Sequence, residues 1–409
     1  MSNKLFDRFM ICHISALDSR RINKKHTPFL ADSFNGYPSV TIETIPEVDL
    51  DPTIMTGVYP HTHKMWQVRL KDASGPGFGP TLTDGVPEVL TSTFQCLVHL
   101  FTGSFDLAGV PSWRRRRFEI SKTRFMKRSV RGFLRLNGID TYLNVVGEKD
   151  CSFIYNERFD ELFSVLTSLS PLKHKLQLVQ IHSLDTLQHW NLDNPNYIQT
   201  SYGEIDRFVK ELHNQCRKNG ITLMVLSDHG QEPVKRSINI LKLLRKMGIP
   251  KHEYTYYIEA PKARFWFHSD RARETILEKL SSIQNSTLLS YRDLHKYNVR
   301  FEEESFGEYY LIAEPGYIYF PNDFYHPLAN IFLGVTDRQQ RSRLSSPQYR
   351  GYHGYLPHNE SEKGFMILLD DCYKASKKAV KIIDVAPTVL RLLGYEKPDY
   401  MIGNCVFYI

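Results

Sequence analysis

Three carboxylates directly follow apolar runs that predict buried strands. Residues 9–17 lead into Asp18, residues 176–184 lead into Asp185, and residues 221–227 lead into Asp228. Burying a carboxylate costs roughly several kcal/mol unless it is paired or binds a cation. Open α/β sheets place their ligands just beyond the carboxyl ends of their strands. Each junction alone also fits a turn in which Asp caps the backbone, but the three together favour a ligand site.

Histidines accompany two of these carboxylates, and another histidine lies in a glycine-rich turn. His229 follows Asp228 directly, and His189 lies four residues after Asp185, which places both side chains on one face of a helical turn. His353 lies in the stretch Gly351-Tyr352-His353-Gly354, where the glycines allow the backbone to approach a ligand closely. Imidazole nitrogens and carboxylate oxygens are suitable ligands for two divalent ions.

These motifs, in this order, resemble the alkaline phosphatase superfamily, and most closely its type I phosphodiesterase and nucleotide pyrophosphatase branch. The resemblance covers nearly the whole chain. The stretches that carry it are residues 17–21, 56–60, 185–189, 227–230, 353–355 and 383–394. It implies an α/β fold, an alkaline phosphatase-like three-layer sandwich with a mostly parallel central sheet and an inserted small α/β cap.

The resemblance also implies two metal sites, with zinc as the usual metal and Mn or Mg as alternatives. Asp185, His189 and His353 would hold one ion. Asp18, Asp228 and His229 would hold the other. His358 competes with His353, and the His-Gly-Tyr context favours His353.

The chain departs from the family pattern at the nucleophile. The resemblance implies a Thr or Ser at the start of a helix, shortly before the Thr-Gly motif. Counting forward from Pro46 places Asp49 there, whereas counting back from Thr56 places Glu47 there. We therefore expect an acidic residue at this position, with Asp49 as the first choice.

The local helix signals add a second candidate. Asp51-Pro52 is typical of an N-cap followed by the first helical residue. Thr53 is the nearest hydroxyl and would lie within the first helical turn. If the count to Asp49 is out of register, Thr53 is the residue to test.

Length and composition are those of an ordinary globular protein. The 409 residues are 42% hydrophobic and 24% charged. This length suffices for a catalytic core of residues 1–250 and 326–409, which includes an insertion at 66–150, and for a small cap at 251–325. No apolar run approaches the length of a membrane span, and we see no signal peptide. The six cysteines lack a CxxC pair, which favours free thiols, a reducing compartment and a cytoplasmic location.

Local patterns predict several elements. Residues 201–204 have the form of a capping box before an apolar stripe that ends at Gly220, which predicts a helix. Strands are expected at 254–258 and 263–267, followed by a helix over 269–282. Residues 309–312 and 317–320 flank Pro315-Gly316 and predict a hairpin.

The net charge of +7 is concentrated around residues 113–135. A solvated basic face is one explanation of this segment. The others are a guanidinium clamp for a phosphorylated substrate and a footprint for nucleic acid or an anionic membrane. The clamp would be formed by Arg114, Arg115, Arg116 and Arg117.

The sequence therefore predicts a metal-dependent hydrolase of phosphate esters, with a phosphodiesterase or nucleotide pyrophosphatase reaction on a phosphorylated small molecule or nucleotide-like substrate. Phosphomonoesterase and phosphotransferase activities are alternatives, as is an inactive relative that binds a phosphorylated ligand. A nucleic-acid-binding module rests only on the arginine run. The sulfatase branch is disfavoured because the N-terminal third has no Cys-x-Pro-x-Arg or Ser-x-Pro-x-Arg motif.

Overall fold

The computed structural model describes residues 5–66, 68–70, 90–91, 93–94, 109–115, 117–120, 135–169, 172–301 and 304–409. The described strands are β1 (Phe9–Ile14), β2 (Ser39–Glu43), β3 (Val68–Leu70), β4 (Phe118–Ile120), β5 (Cys151–Asn156), β6 (Leu176–Ile181), β7 (Thr222–Ser227), β8 (Glu232–Pro233), β9 (Arg236–Ile238), β10 (Tyr254–Ile258), β11 (Lys262–Phe267), β12 (Ser286–Ser290), β13 (Tyr309–Ala313), β14 (Tyr317–Tyr319), β15 (Gly351–Tyr352), β16 (Gly364–Leu368), β17 (Lys374–Ala375), β18 (Ala379–Lys381) and β19 (Phe407–Tyr408). The described α-helices are α1 (Pro28–Gly36), α2 (Asp51–Thr56), α3 (Pro60–His63), α4 (Ser112–Arg115), α5 (Tyr142–Val146), α6 (Ser164–Ser168), α7 (Ser183–Asn191), α8 (Pro195–Lys218), α9 (Ile240–Met247), α10 (Asp270–Ser281), α11 (Pro327–Thr336) and α12 (Val385–Leu392).

A central sheet of seven strands organises the fold, in the order β18-β2-β16-β7-β1-β6-β5. The adjacent strands β7, β1, β6 and β5 run parallel to one another, and β18 runs parallel to β2. Only β16 among these strands runs antiparallel, between β2 and β7. The predicted α/β fold with a mostly parallel central sheet is confirmed.

Both faces of this sheet are covered by helices. Along β1, Phe9 and Ile11 belong to one apolar cluster, which includes residues of α2, α5 and α12. Met10 and Cys12 belong to the other, which includes residues of α7 and α8. Successive strand residues point to opposite faces, so an almost continuous apolar run is what a doubly covered strand requires.

The helix that leads into β7 begins earlier than predicted. It spans Pro195–Lys218, and the side chain of Asn194, not Ser201, caps its N-terminus by accepting from the Tyr197 backbone amide. The expected apolar stripe is buried against the sheet. Pro195 at the first helical position explains the early start, because its fixed φ suits a helix and its missing N–H has no helical partner to lose.

A second, antiparallel sheet lies between Tyr254 and Ala313, in the order β10-β11-β13-β12. The predicted strands β10 and β11 and the helix after them are present. The predicted hairpin across Pro315-Gly316 was wrong. Strand β13 pairs with β11 and β12, whereas β14 pairs in parallel with β9. Local turn signals could not reveal these long-range partners.

The described cysteines are free thiols: Cys12, Cys151, Cys216, Cys372 and Cys405. The first three are buried in the core. Among the helices described, none combines the length and the apolar character that a bilayer crossing needs.

The close approach of β16 to β7 permits a stability test. A Cβ at Gly364 would lie 2.3 Å from the Ser227 carbonyl oxygen and 2.6 Å from that of Asp228. Gly364→Ala should therefore lower the free energy of unfolding by about 1–3 kcal/mol, as overpacking typically does. Gly36→Ala is the control, because a Cβ there meets nothing within 4 Å at the end of α1. Equal stability of the two variants in urea titrations would contradict this packing.

Candidate metal centre

The adjacent parallel strands β7, β1 and β6 bring their carboxyl ends to one edge of the central sheet. Asp185 and His189 lie on α7, which starts just after β6, and His189 Nε2 is 3.4 Å from Asp185 Oδ2. His353 follows β15, and its Nε2 is 3.5 Å from Asp185 Oδ1. Asp185 and His353 are almost fully buried. These three side chains form the first cluster.

A second cluster consists of His13, Asp51 and Asp228. His13 Nε2 lies 3.6 Å from Asp228 Oδ2, and His13 Nδ1 lies 3.8 Å from Asp51 Oδ1. One ligand atom of each residue falls within 4.8 Å of those of the other two. His13 comes from inside β1, and Asp51 is the first residue of α2.

His229 joins the two clusters. Its Nε2 lies 3.4 Å from Asp228 Oδ2 in the second cluster. Its ring stacks on that of His353 in the first cluster, with centroids 3.7 Å apart. Ligand atoms of His229, His353 and Asp185 also lie within 4.8 Å of one another. The two clusters therefore form one continuous buried centre.

Backbone carbonyls orient two of the imidazoles. His189 Nδ1 lies 2.9 Å from the Gly351 carbonyl oxygen, and His229 Nδ1 lies 2.9 Å from that of Gly230. A carbonyl only accepts, so Nδ1 carries the proton in both rings. In the neutral ring, the Nε2 lone pair then faces a carboxylate oxygen. The nitrogen and the carboxylate oxygen repel at 3.4 Å unless a proton or a metal cation lies between them. Histidines that bind metals through one ring nitrogen commonly donate the N–H of the other to a backbone carbonyl, as these two rings do.

Buried, unpartnered polar atoms also fit a cation. Among the described residues, His13 Nε2 and His353 Nδ1 are buried without a hydrogen-bond partner. Burial opposes the charged form of Asp185 and Asp228, yet the imidazoles around them outweigh burial and hold the pKa of both carboxyls below its usual range. Burial lowers the pKa of His353 well below its usual range, which keeps this ring neutral. Burial also opposes the charged form of His13 and His229, but Asp228 outweighs it and raises the pKa of both rings, so a bound cation would take the place of their protons. Ionised carboxylates and neutral imidazoles are the forms that bind metals.

Side-chain amides fix the carboxylates of both clusters. Gln180 Nε2 donates to both oxygens of Asp51, at 3.0 and 2.9 Å. Gln231 Nε2 donates to Asp185 Oδ1 at 2.6 Å. The Ala16 backbone amide donates to Asp228 Oδ1 at 3.0 Å. Such contacts behind a ligand orient it toward the metal.

Asp18 lies outside both clusters. Its carboxylate accepts from the backbone amide of Arg20 at 2.9 Å and forms an ion pair with the Arg20 guanidinium at 2.7 Å. The side chain also packs against Gly230, where an added Cβ would come within 2.6 Å of Asp18. Asp18 thus caps the turn after β1 and supports the loop that carries His229. Its role as a metal ligand stays a prediction.

The three candidates for the nucleophile position occupy different places. Glu47 is fully buried and paired with Lys262, 3.2 Å away. Asp49 is half-buried in the loop before α2, near His63, where burial lowers the pKa of the ring and the charge of Asp49 only partly opposes that effect. Thr53 is buried, and its Oγ1 lies 3.1 Å from His63 Nε2. The catalytic roles of Asp49 and Thr53 stay predictions.

Thr53 and His63 do not form an activated hydroxyl. His63 Nδ1 accepts from the Met65 backbone amide at 3.0 Å, so the proton of the neutral ring is on Nε2. The ring therefore donates to Thr53 Oγ1 and does not accept its proton. Burial lowers the pKa of His63 to about 3, so the ring is neutral at pH 7.

The described arginines of the basic segment support the fold. Arg114 is fully buried, pairs with Asp323 and lies 3.9 Å from the centre of the Tyr256 ring. Arg117 donates to Thr255 Oγ1 at 2.5 Å. Arg115 Nη2 donates to the Val110 carbonyl at 3.3 Å. Arg116 and residues 121–134 lie outside the described residues, and substrate binding by the arginine run stays a prediction.

Sequence reasoning missed His13 and Asp51. His13 is a polar residue within an apolar strand, and this interruption was the only sequence signal for it. The signal is weak, because a single histidine in such a strand is usually a core residue. Asp51 precedes Pro52 and therefore had the form of a helix cap. His358, the rival to His353, is exposed, whereas His353 lies in the first cluster.

Comparison with known families bears on this centre. Residues 22–356 match the family described as type I phosphodiesterase/nucleotide pyrophosphatase. The chain belongs to this family. The resemblance predicted from the sequence motifs is therefore confirmed. Among curated proteins, none matches the chain.

Solved structures of family relatives share the fold. Murine ectonucleotide pyrophosphatase/phosphodiesterase 5 is 12% identical, with a TM-score of 0.60 and 96% coverage of both chains. The human protein of that name is 13% identical, with a TM-score of 0.60 and 97% coverage of both chains. An inactive variant of the murine protein in complex with AMP gives a TM-score of 0.61 at 12% identity and 96% coverage of both chains. At these identities, the likeness establishes the shared fold alone.

The buried His63 predicts a pH dependence of stability. Its pKa is about 3 in the folded chain and near 6.5 when unfolded, so only the unfolded chain takes up this proton between those values. The free energy of unfolding should therefore fall as the pH drops from 6.5, by about 1 kcal/mol per pH unit from this group. In His63→Gln the fall should be shallower.

Chemical denaturation between pH 7 and pH 5 measures this slope. The exposed His252 supplies the matched control, and His252→Gln should keep the wild-type slope. If His63→Gln also keeps that slope, His63 is not held neutral by burial.

Proposed function

We propose that this chain hydrolyses a phosphodiester or a nucleotide pyrophosphate bond with two divalent cations. The observation that carries the proposal is the continuous centre of two clusters at the ends of β1, β6 and β7, in which Asp185, Asp228 and three of the histidines are buried. Clustered carboxylates and imidazoles without a cation would be costly to bury. Mixed nitrogen and oxygen donors favour zinc, with manganese as the next choice.

Each residue of the centre has a defined task in this proposal. Asp185, His189 and His353 hold one cation. His13, Asp51 and Asp228 hold the other, with His229 on the side that faces the first cluster. When bound, two such cations polarise the phosphoryl oxygens and stabilise the charge on the attacking and leaving oxygens. Gln180 and Gln231 keep the carboxylates of Asp51 and Asp185 in place.

The attacking group is proposed to be water. At the start of α2, the residue whose ligand atom lies within 4.8 Å of those of His13 and Asp228 is Asp51, a carboxylate and not a hydroxyl. Thr53 lies two positions further along the helix, about 200° around its axis, and contacts His63. A carboxylate at this position binds a cation well but replaces the hydroxyl that would form a covalent phospho-enzyme.

The substrate is proposed to be a nucleotide-like phosphodiester. Family membership supports this class, as does the structural relative that was solved with AMP. The net charge of +7 also suits an anionic substrate. A phosphomonoesterase or phosphotransferase reaction would use the same centre. Identification of the reaction product distinguishes these reactions from diester hydrolysis.

A second candidate function is a binding protein for a phosphorylated ligand. The observation that favours it is the carboxylate of Asp51 at the first residue of α2, because the resemblance implies a hydroxyl at the start of the helix before the Thr-Gly motif. Both candidates require the cations, so turnover separates them. A protein that binds zinc and a nucleotide but cleaves neither a diester nor a pyrophosphate fits the second candidate.

Metal dependence is the first test of the proposed function. Protein purified without chelator should contain up to two equivalents of divalent metal and should hydrolyse bis(p-nitrophenyl) phosphate. EDTA should abolish this activity, and zinc should restore it. His189→Ala and Asp228→Ala should each lose about 100-fold or more, because two-cation chemistry depends on every ligand.

His358→Ala is the matched control, because His358 is an exposed histidine five residues from His353. It should keep wild-type turnover. Wild-type turnover by His189→Ala or Asp228→Ala would remove that residue from the centre, and activity that survives EDTA would contradict metal dependence.

The second test locates the acidic residue. Asp51→Asn should lose about 100-fold in kcat/KM and about one equivalent of metal, because the amide is a poor ligand for a divalent cation. Asp49→Asn and Thr53→Val should stay within about fivefold of the wild type, since Asp49 belongs to neither cluster and the Thr53 hydroxyl contacts His63. A large loss in Thr53→Val together with normal metal content would instead identify Thr53 as the nucleophile.

A further inference from the structure

Four charged side chains form a buried group that the proposed chemistry does not use. Glu47, Glu259, Lys262 and Arg264 are each at most 2% exposed, and we call them the interface ion cluster. Lys262 Nζ lies 3.2 Å from Glu47 Oε2 and 3.2 Å from Glu259 Oε2. Arg264 Nη2 lies 2.7 Å from Glu259 Oε1. The two acids and two bases balance in charge.

The interface ion cluster joins two parts of the fold. Lys262 and Arg264 belong to β11 of the antiparallel sheet, and Glu259 lies in the turn before it. Glu47 lies in the loop that leads into α2. The Glu47 carboxylate accepts from the Val48 backbone amide at 2.7 Å, while Lys262 Nζ also reaches the Pro46 carbonyl at 3.4 Å. Lys262 therefore holds this loop by its backbone and by its side chain.

The loop lies next in sequence to one cluster and packs beside a neighbour of the other. Asp51, in the second cluster, begins α2 four residues after Glu47. Val48 packs against Gly354, where an added Cβ would lie 2.8 Å from Val48 Cγ2 and 3.4 Å from Pro261. Gly354 is the neighbour of His353, in the first cluster. A shift of Val48 would thus displace one ligand of each cluster.

Stability alone does not account for such a group. Buried ion pairs can often be replaced by apolar side chains without loss, whereas they restrict the arrangement of the groups that they join. We propose that Lys262 is a positioning residue of the metal centre, which fixes Glu47 and Val48 and thereby places Asp51 and His353. This inference rests on the proposed function, because it assumes that those two residues bind cations.

Lys262→Met tests the proposal, with Arg114→Met as the matched control. Arg114 is as deeply buried as Lys262 and also forms a buried ion pair, with Asp323. Its described side-chain contacts are with Asp323 and Tyr256, and neither residue belongs to the loop before α2. Both variants leave an acid without its partner, and both should lower the melting temperature. Zinc affinity, measured by competition with a chelating dye, should weaken at least tenfold in Lys262→Met and stay within threefold in Arg114→Met.

Hydrogen exchange of the metal-free proteins supplies a second readout. The amides of residues 47–51 should exchange at least tenfold faster in Lys262→Met than in the wild type or in Arg114→Met. This measurement needs no cation and so tests the positioning on its own. If Lys262→Met does not fold, Glu47→Gln takes its place, because it keeps the acceptor for Val48 but loses the pair with Lys262.

The outcomes separate this inference from the proposed function. Wild-type protein that binds no zinc contradicts the proposed function, and unchanged exchange at residues 47–51 then overturns the positioning role as well. Wild-type protein that binds zinc, together with a Lys262→Met or Glu47→Gln variant of unchanged zinc affinity, leaves the proposed function standing and overturns the inference.

Discussion

The structure depends on one electrostatic constraint at the carboxyl edge of the central sheet. Asp185 and Asp228 are almost fully buried, and imidazole nitrogens lie 3.4–3.6 Å from their oxygens. Two of those rings donate their Nδ1 protons to carbonyls, so their Nε2 lone pairs face the carboxylates. A nitrogen lone pair and a carboxylate oxygen repel each other at this distance, whereas a cation between them attracts both.

The surrounding fold keeps these groups in place. The parallel order of β7, β1 and β6 brings their ends together, and the close contact of Gly364 with β7 holds the carbonyls of Ser227 and Asp228. Amides from Gln180 and Gln231 orient one carboxylate in each cluster. The antiparallel sheet contributes through Lys262, which ties it to the loop before α2. The centre thus draws on groups from distant parts of the chain.

Sequence patterns predicted the features that local spacing determines. The four-residue interval from Asp185 to His189 brought the two side chains together on α7, and the apolar runs of β1, β6 and β7 predicted a doubly covered sheet. His13 and Asp51 could not be found in this way, because they meet only through β1, β6 and α2, which are far apart in sequence. Asp18 satisfied the local pattern, but its carboxylate is paired with Arg20. The long-range ion pair of Lys262 with Glu47 has no local signature.

Anomalous diffraction at the zinc edge, from crystals grown with zinc, tests the central claim most directly. Two anomalous peaks are expected, one bonded to Asp185, His189 and His353 and the other to His13, Asp51 and Asp228. Bond lengths should be about 2.0–2.2 Å, as is usual for zinc with nitrogen and oxygen ligands. A peak between Asp18 and Asp228 that leaves out His13 and Asp51 would contradict the second site. No peak at the edge of the central sheet would contradict the metal centre as a whole.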